Sequence, residues 1–525
     1  MAKSASFESR KARAFKELAA CLGEENVSEN PAVRSSYRWS WGFVAVAPYG
    51  KGPELVVMPR TVEHVQEIVR LANKEKLTVL PICAGSLTPS FEADILIDMM
   101  KMDRIIKIDP ESSYVVLEPG VTYNRLIPLL RKEGYTIAIG SFPPTFSPVG
   151  NLAVQQGFNH NFSGRVSNQT LGLEIVMLDG SLLRTGTASM GSDYWSPQAG
   201  GVPDIRGLFA TSLQATPLMG IVTKAAIRIW PLMEASGLPI GGFDTFAKAV
   251  KFSKTVTQSC LGDQSMVWNW VLTAMTESHI KGSKDHIDLL THRMTADYTE
   301  PYKGLYYCYA WTQFRGYKEQ VDCNLKLCER IAKEIGGKIL GNEELGNTIP
   351  NCWKSWKRDY KDFDPLAEKR EKHMWSYMGG ERPGGGSAYF NGSTDDLIKL
   401  EDAFNRTLRD KYNQNPQPYY VRMFEGGTGA HLRYMLPVDA MDEYHRKRVT
   451  KMREEMSSWV NDNFPNIHVA GGYKRGGYKK VETHSIGMGS ALNRIRDALD
   501  PNHVGFLPGE KRLEPDEEGK AVTAG

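Results

Sequence analysis

Small and hydroxylated residues cluster in one turn of this chain, between residues 81 and 88, and their types suit anion binding. The small side chains of Ala84 and Gly85 let successive backbone N–H groups approach a ligand closely. Ser86 and Thr88 add hydroxyl donors. The turn from Cys83 to Leu87 therefore suits a diphosphate, although a plain connector can have the same composition. GxGxxG and GxxxxGKS patterns are missing from the sequence, which argues against Rossmann and P-loop sites.

Short hydrophobic runs surround this turn and predict the elements that position it. Thr61 is a candidate N-cap, and Val65, Ile68 and Ala72 recur at helical spacing behind it. The pattern predicts strands over 54–58, 77–81, 95–98 and 114–118, with a helix over 61–73 and Pro119-Gly120 after the last strand. This order is compatible with a pyrophosphate site in a fold of mixed helices and strands.

Composition limits the class of protein. A chain of 525 residues exceeds the usual size of one domain, so we expect at least two domains. The net charge of +3 comes from interspersed charges, which indicates neither a nucleic-acid partner nor a membrane surface. Seven irregularly spaced cysteines predict buried thiols rather than disulfides or a metal site. Without a run of about 18 apolar residues, we expect a cytoplasmic protein that does not span a membrane.

The order of motifs resembles the flavoprotein family of vanillyl-alcohol oxidase and p-cresol methylhydroxylase (PCMH). The matching runs lie between 54 and 231 and again after about 480. They include Val56-Val57-Met58-Pro59, the turn at Cys83, Ile97-Asp98-Met99, Leu117-Glu118-Pro119-Gly120, Gly150-Asn151-Leu152-Ala153, Met219-Gly220-Ile221-Val222 and Leu499-Asp500-Pro501-Asn502. The resemblance implies an α+β fold: a two-subdomain PCMH-type FAD-binding domain with an inserted α+β cap domain that covers the substrate.

The domain limits that follow from this resemblance are 1–232 for the FAD-binding domain, with an N-terminal helix over 7–22, and 233–477 for the cap. Residues 478–525 return to the FAD-binding domain. Within the cap, the pattern predicts helices over 246–256, 317–335, 397–412 and 442–462, and strands over 304–312 and 431–437. A further helix is predicted over 490–499.

FAD is the cofactor that the resemblance implies. Relatives that attach the flavin through the diphosphate turn use a histidine where this chain has Ser86, so we expect noncovalent FAD. A covalent link through His431, close to a cap strand, is the alternative. The implied cofactor-binding residues are Cys83, Ala84, Gly85, Ser86, Leu87, Glu118, Gly120, Gly150, Asn151, Ala153, Gly157, Gly220, Ile221, Val222 and His431.

The residues that would act on a substrate depart from the pattern of the phenol oxidases in this family. Where the resemblance places a carboxylate beside the flavin, this chain has Arg165, and only its C-terminal Tyr-Lys pairs resemble the expected Tyr-Arg pair. Several arginines favour an anion, because a guanidinium binds a carboxylate in a bidentate way. His160 is a candidate general base. The candidate catalytic residues are Arg165, His160, Tyr478, Lys479, Arg475 and Arg433, and no metal is expected.

These features predict an FAD-dependent oxidase or dehydrogenase that transfers hydride from a small substrate to flavin N5. The substrate is expected to be aromatic (phenolic or benzylic) or anionic. Two alternatives stay open: a 2-hydroxy-acid dehydrogenase-like flavoenzyme, and a flavoprotein electron-transfer subunit of a larger complex. The expected electron acceptor is oxygen, a quinone or a carrier protein, and we expect a homo-oligomer.

Overall fold

The helices and strands on either side of the predicted diphosphate turn come first along the chain, and those of the cap follow. The computed structural model describes residues 6–37, 52–83, 93–138, 145–154, 169–197, 203–209, 218–262, 264–277, 301, 304–356, 385–412, 417–437, 443–470, 486–506, 513–515 and 521–523. Within these ranges, helices and strands build three larger sheets and one small hairpin. The α+β fold class is confirmed.

The first sheet carries the predicted diphosphate turn at the end of one strand. Its elements are α1 (Phe7–Leu22), β1 (Val27–Ser28), α2 (Pro31–Ser36), β2 (Leu55–Val57), α3 (Val62–Glu75), β3 (Val79–Ile82) and β4 (Ile95–Asp98). The strand order is β1-β2-β4-β3, and β4 is parallel to both of its neighbours. The side chain of Thr61 accepts a hydrogen bond from the backbone N–H of His64 at 3.3 Å, so the predicted N-cap of α3 is confirmed.

The second sheet is antiparallel and is centred on one long strand. Its elements are β5 (Ile105–Asp109), β6 (Tyr114–Leu117), α4 (Tyr123–Lys132), β7 (Tyr135–Ile137), a π-helix (Val149–Val154), β8 (Thr170–Met177), β9 (Leu182–Arg184), α5 (Arg206–Phe209) and β10 (Gly220–Pro231). The order is β5-β6-β10-β8-β9, and β7 pairs with the end of β10. Ile221 of β10 packs into the core of the first sheet and Val222 into that of the second. Strand β10 thus joins the two cores.

The third sheet, which we call the cap sheet, lies entirely within residues 235–470. Its elements are β11 (Ala235–Gly237), β12 (Ile240–Phe243), α6 (Phe246–Gln258), β13 (Gln264–Asn269), α7 (Trp270–Thr276), β14 (Cys308–Gly316), α8 (Lys318–Ile335), β15 (Lys338–Ile339), α9 (Asn342–Thr348), α10 (Pro350–Trp356), β16 (Gly385–Gly392), α11 (Thr394–Tyr412), β17 (Tyr419–Met423), β18 (Ala430–Pro437), α12 (Glu443–Asn463) and β19 (His468–Ala470). The order β15-β12-β14-β13-β17-β18-β16-β19 is antiparallel throughout. The proposed domain limits of 233 and 477 stay a prediction.

Side chains of the cap sheet alternate between two environments because successive residues of a strand face opposite sides. Val421 of β17, Leu432 of β18 and Phe390 of β16 pack in one apolar core with residues of α6, α11 and α12. The residues next to them in the sequence project from the other face of the sheet. That other face is where aromatic and cationic side chains meet.

One predicted strand of the cap is wrong in position. The sequence pattern indicates a strand over 304–312, whereas β14 runs from Cys308 to Gly316. Gly304 has φ +90°, outside the extended region, and the C-terminal end of β14 pairs with β11 through Phe314, Arg315 and Gly316. Long-range pairing therefore moves the strand along the sequence. The predicted cap helices and the strand over 431–437 are confirmed, with ends that differ by a few residues.

The C-terminal part of the chain contacts both sheets of residues 1–232. Helix α13 (Met488–Leu499) packs Leu492, Ile495 and Leu499 against the core of the second sheet. The buried carboxylate of Asp500 then accepts hydrogen bonds from the backbone N–H groups of Val504 at 2.9 Å and Gly505 at 2.8 Å. Gly505 bridges to Val79 of β3 in parallel. Strands β20 (Leu513–Pro515) and β21 (Ala521–Thr523) form the small hairpin.

We expect Asp500→Asn to destabilise the protein by about 1–3 kcal/mol, because an amide offers one acceptor and turns an N–H₂ group against the second backbone donor. Urea unfolding followed by circular dichroism measures the loss as a lower midpoint. The matched control is Asp497→Asn on the same helix, where the carboxylate is 62% exposed. Equal midpoints for the two variants would contradict this role of Asp500.

Candidate functional site

The residue that begins the diphosphate turn lies against the segment around residue 150. Cys83 follows β3, and its thiol is hydrogen-bonded to Ser147, while burial raises its pKa to about 12. Ser147 Oγ also accepts a hydrogen bond from the backbone N–H of Gly150 at 3.2 Å. A Cβ at Gly150 would lie 3.2 Å from Cys83 Sγ, a tight contact. Two motifs that are far apart in the sequence thus adjoin, and the thiol is protonated at neutral pH.

Asn151 is buried beside these residues, with 3% of its surface exposed. Its backbone N–H donates to Ser147 O at 2.9 Å, and its side-chain Oδ1 accepts from the hydroxyl of Tyr123 at 3.2 Å. Its Nδ2 has no hydrogen-bond partner among the described residues. A buried amide donor of this kind suits a ligand with oxygen or nitrogen acceptors. Ala153, on the same π-helix, is fully buried in the core.

Glu118 and Gly120 hold the end of β6 against the preceding loop. The carboxylate of Glu118 is 1% exposed and accepts from Arg104 N at 2.9 Å and Arg104 Nη2 at 2.7 Å. Any Cβ at Gly120 would collide with the carbonyl oxygen of Met100. Both residues therefore have a structural role in these contacts, and their expected contact with FAD stays a prediction.

Gly220, Ile221 and Val222 form the start of β10, where they pair with β8. A Cβ at Gly220 would lie 2.6 Å from Cγ2 of Ile175, so a larger residue would displace the neighbouring strand. The register shifts between Val222 and Lys224, as in a β-bulge. The expected FAD contact of these three residues likewise stays a prediction.

On the cap sheet, aromatic and cationic residues occupy one row across four strands. Tyr420 of β17 lies opposite Trp268 of β13 on one side and opposite Arg433 of β18 on the other. Arg433 in turn lies opposite Tyr389 of β16. Because directly opposed residues of antiparallel strands project from the same face, these side chains are neighbours.

A second row runs beside the first. Arg422 of β17 lies opposite Met266 of β13 and His431 of β18, and His431 lies opposite Asn391 of β16. Alternation along each strand puts both rows on the face opposite helices α6, α11 and α12. We call the five side chains of Tyr389, Tyr420, Arg422, His431 and Arg433 the Arg–Tyr cluster.

Both arginines of the Arg–Tyr cluster contact the ring of Tyr420. The guanidinium of Arg422 lies 4.8 Å from the ring centroid of Tyr420, and that of Arg433 lies 5.8 Å from it. Arg433 Nη1 also donates a hydrogen bond to the Tyr420 hydroxyl at 3.2 Å, and its guanidinium is 4.9 Å from the ring of Tyr389. Arg422 is 5% exposed, whereas Arg433 is half-buried.

The arginines make the electrostatic potential of this cluster positive. Burial opposes ionisation of Tyr420, but the charges of Arg422 and Arg433 outweigh it and lower the pKa of its hydroxyl below the usual value of about 10. Burial, together with the same two arginines, holds the pKa of His431 well below its ordinary range. His431 is therefore neutral, and its Nδ1 is 2.7 Å from Oδ1 of Asn391.

Tryptophans pack beside the Arg–Tyr cluster on the same face. Trp356 of α10 meets Trp268 edge to face at 5.0 Å between ring centroids and lies 6.2 Å from Trp311 of β14. All three rings are at most 5% exposed. The three rings form a buried aromatic surface, and their indole N–H groups are hydrogen-bond donors without a partner in the described ranges.

Comparison with known proteins finds flavoproteins that are similar to this chain in sequence and in structure. A family model described as an FAD binding domain matches residues 53–186, which include the diphosphate turn and the 149–154 helix. The flavoprotein subunit of 4-cresol dehydrogenase [hydroxylating] from Pseudomonas putida is 26% identical over 400 residues, which are 72% of each chain. The crystal structure of p-cresol methylhydroxylase with substrate bound superposes with a TM-score of 0.78 at 20% identity, covering 97% of this chain and 98% of that one. 4-Ethylphenol oxidase from Gulosibacter chungangensis gives 0.77 at 19% identity, covering 96% and 97%.

The chain is similar to the PCMH-type FAD-binding flavoproteins, and its residues 53–186 match an FAD binding domain. It is an FAD-dependent oxidoreductase, as predicted from its motifs. As far as the described residues go, no cluster of three or more His, Cys, Asp or Glu side chains is arranged to hold a metal ion. Nor does that part of the chain contain a helix that is both long and apolar enough to cross a bilayer.

Ten of the predicted site residues lie outside the described residues. They are Ala84, Gly85, Ser86, Leu87, Gly157, His160, Arg165, Arg475, Tyr478 and Lys479. The structure places His431 and Arg433 two residues apart on the same face of β18. Sequence reasoning named Tyr420 only among the many aromatic residues of the cap, and it did not single out Tyr389 or Arg422. The signal that could have found them is the two-residue spacing of Tyr420 and Arg422 on β17 and of His431 and Arg433 on β18. This spacing puts the polar side chains on one face of two paired strands.

We expect Tyr420 to ionise at a lower pH than an ordinary tyrosine because of Arg422 and Arg433. The difference in absorbance near 295 nm between wild type and Tyr420→Phe should show one tyrosinate forming below pH 10. Tyr419→Phe is the matched control. Burial raises the pKa of this neighbour, on the opposite face of β17, well above its usual value, so its difference spectrum should stay flat in this range.

Arg433→Gln should move the titration of Tyr420 to higher pH, since it removes one positive charge and one hydrogen bond to the hydroxyl. An unchanged titration in Arg433→Gln would contradict this electrostatic cause. A Tyr420→Phe spectrum identical to that of Tyr419→Phe would contradict the assignment of the low-pKa tyrosine.

Proposed function

We propose that this flavoprotein oxidises a small aromatic or anionic organic substrate that binds against the Arg–Tyr cluster of the cap sheet. The observation that carries the proposal is the juxtaposition of Arg422 and Arg433 with the rings of Tyr389 and Tyr420 on one sheet face. Aromatic rings offer contact area to an aromatic substrate, while the guanidinium groups attract a negative charge. Positive potential also stabilises the anion formed when a substrate hydroxyl loses its proton, which favours hydride departure.

FAD, when bound, supplies the hydride acceptor at N5. The residues around Asn151 fit such a group: the buried Nδ2 of Asn151 is a donor, and Gly150 brings its backbone close to the turn at Cys83. We propose that Asn151, with the predicted turn from Cys83 to Leu87, holds the cofactor without a covalent bond. His431 is the alternative attachment point, but its ring is buried and its Nδ1 is engaged with Asn391.

The protein residues of the cap have separate tasks in this proposal. Arg422 and Arg433 bind and orient the negative end of the substrate, and burial of the cluster excludes water from it. Tyr420, with its lowered pKa, accepts a proton at its hydroxyl oxygen when it is ionised. His431 is neutral, so it adds no positive charge to that of the two arginines.

A second candidate function is electron transfer within a complex, because the 4-cresol dehydrogenase relative is described as a flavoprotein subunit. In the 2-hydroxy-acid alternative, Arg433 binds the carboxylate of the substrate. The physiological acceptor is proposed to be oxygen, a quinone or a carrier protein. A homo-oligomer and a cytoplasmic location stay predictions.

Anaerobic mixing of the purified, FAD-loaded protein with a panel of compounds tests the function directly. We expect at least one phenol, benzylic alcohol, aryl carboxylate or hydroxy acid to bleach the flavin absorption near 450 nm. Tyr420→Phe should slow that bleaching, and the exposed variant Arg409→Gln should not. If every compound leaves the flavin oxidised while a co-purifying protein reduces it, the electron-transfer function replaces the first. Flavin that stays with the acid-precipitated protein would establish covalent attachment.

Replacement of Asn151 tests the proposed cofactor site. Asn151→Leu keeps the volume but removes the amide donor, so we expect FAD affinity to fall about tenfold. Because the change also removes the acceptor of the Tyr123 hydroxyl, Tyr123→Phe alone and combined with Asn151→Leu are the matched variants. FAD fluorescence on dilution measures release. Tyr123→Phe should retain FAD, and full retention by the double variant would contradict the role of Asn151.

A further inference from the structure

Two arginines lie side by side in a largely buried part of the cap sheet. Tyr420 lies opposite Arg433, and Arg422 lies opposite His431, so the two arginines occupy diagonal positions on adjacent strands β17 and β18. Side chains at such diagonal positions are within reach of each other when they are long. Both guanidinium groups contact the one ring of Tyr420, which places their charges around a common centre.

Burial and the charges of the two arginines both shift the pKa values of the groups around the Tyr420 ring. Burial and the charge of Arg433 lower the pKa of Arg422 itself, although Tyr420 opposes this effect. The pKa values of Tyr420 and His431 are lowered as well. Burial is the largest cause for Arg422 and His431, whereas for Tyr420 the charges of the two arginines outweigh burial.

We propose that Arg422, Arg433 and the hydroxyl of Tyr420 form a binding subsite for the carboxylate of an aromatic carboxylic acid. A carboxylate has two oxygens and can accept hydrogen bonds from both planar guanidinium groups at once, whereas a phenolate has a single oxygen acceptor. In its protonated form, the hydroxyl of Tyr420 accepts a hydrogen bond from Arg433 and donates one to the carboxylate. The rings of Tyr389 and Tyr420 on either side of Arg433 provide the aromatic surface for the ligand ring.

This inference rests on the proposed function, and it narrows the substrate to an aryl carboxylate. Arg433 is half-buried and Arg422 almost fully buried, so the carboxylate approaches through Arg433. Anchoring the acid group fixes the orientation of the ring. The group to be oxidised is then a separate substituent of the ring, held away from the arginines.

Calorimetric titration of the FAD-loaded protein with benzoate and benzamide tests the subsite. The two ligands have nearly the same shape and differ in charge, so we expect benzoate to bind about 10–100-fold more tightly to the wild type. Arg433→Gln and Arg422→Gln should each remove most of that preference without changing the affinity for benzamide. Arg433→Lys should keep part of it, because the charge remains and the bidentate geometry is lost.

Arg409→Gln, an exposed arginine of the cap helix α11, is the matched control and should keep the full preference. Circular dichroism and FAD content verify that each variant is folded. Equal binding of benzoate and benzamide to the wild type, no detectable binding of benzoate, or an unchanged preference in both glutamine variants would overturn the proposal. Tighter binding of phenol than of benzoate, lost in Arg433→Gln, would also overturn it by assigning the subsite to a phenolate.

These binding measurements are independent of turnover, so the two proposals fail separately. If benzoate behaves as expected but no hydroxylated or alkylated aryl carboxylate bleaches the flavin, the subsite stands and the oxidoreductase substrate assignment falls. If a neutral phenol or benzylic alcohol bleaches the flavin while benzoate fails to bind, the proposed function stands and the carboxylate subsite falls.

Discussion

The register of strands β16, β17 and β18 is the constraint on which the candidate substrate surface depends. A shift of one residue in β17 would send Tyr420 and Arg422 into the helix-covered core and bring Tyr419 and Val421 to the other face. That core, filled by large apolar side chains, specifies the register strongly because a buried arginine there would be costly. The packing of one face thus decides the chemistry of the other.

The pKa values of buried polar groups shift in opposite directions on the two faces of the cap sheet. On the helix side, Glu401 accepts hydrogen bonds from Tyr307 at 3.1 Å and Tyr419 at 2.8 Å, and burial raises its pKa. On the opposite face, arginines lower the pKa of Tyr420 instead. The pKa values of two tyrosines that are adjacent in the sequence therefore shift in opposite directions: burial, with Glu401 nearby, raises that of Tyr419, and two guanidinium groups lower that of Tyr420.

The FAD-binding part of the protein depends on close backbone approach rather than on charge. Gly150 lies against Cys83, and a side chain at Gly120 would collide with Met100. These contacts bring Cys83 to the π-helix, and the end of β6 to the loop at Met100, from separate parts of the sequence. The C-terminal return through Asp500 and Gly505 then extends the same sheet beyond β3. Motifs matched in family order are close in space for this reason.

The sequence by itself determined the helix behind Thr61 and most cap helices, because these follow from local spacing. Its resemblance to a flavoprotein family, carried by motifs in the same order, predicted the cofactor class. The sequence also pointed to Arg433 as part of an anion site. Only the tertiary structure decided that Arg433 meets Tyr420 and Arg422, and that β14 begins at Cys308. Those outcomes depend on pairing between strands distant in sequence, and local patterns do not specify register across such distances.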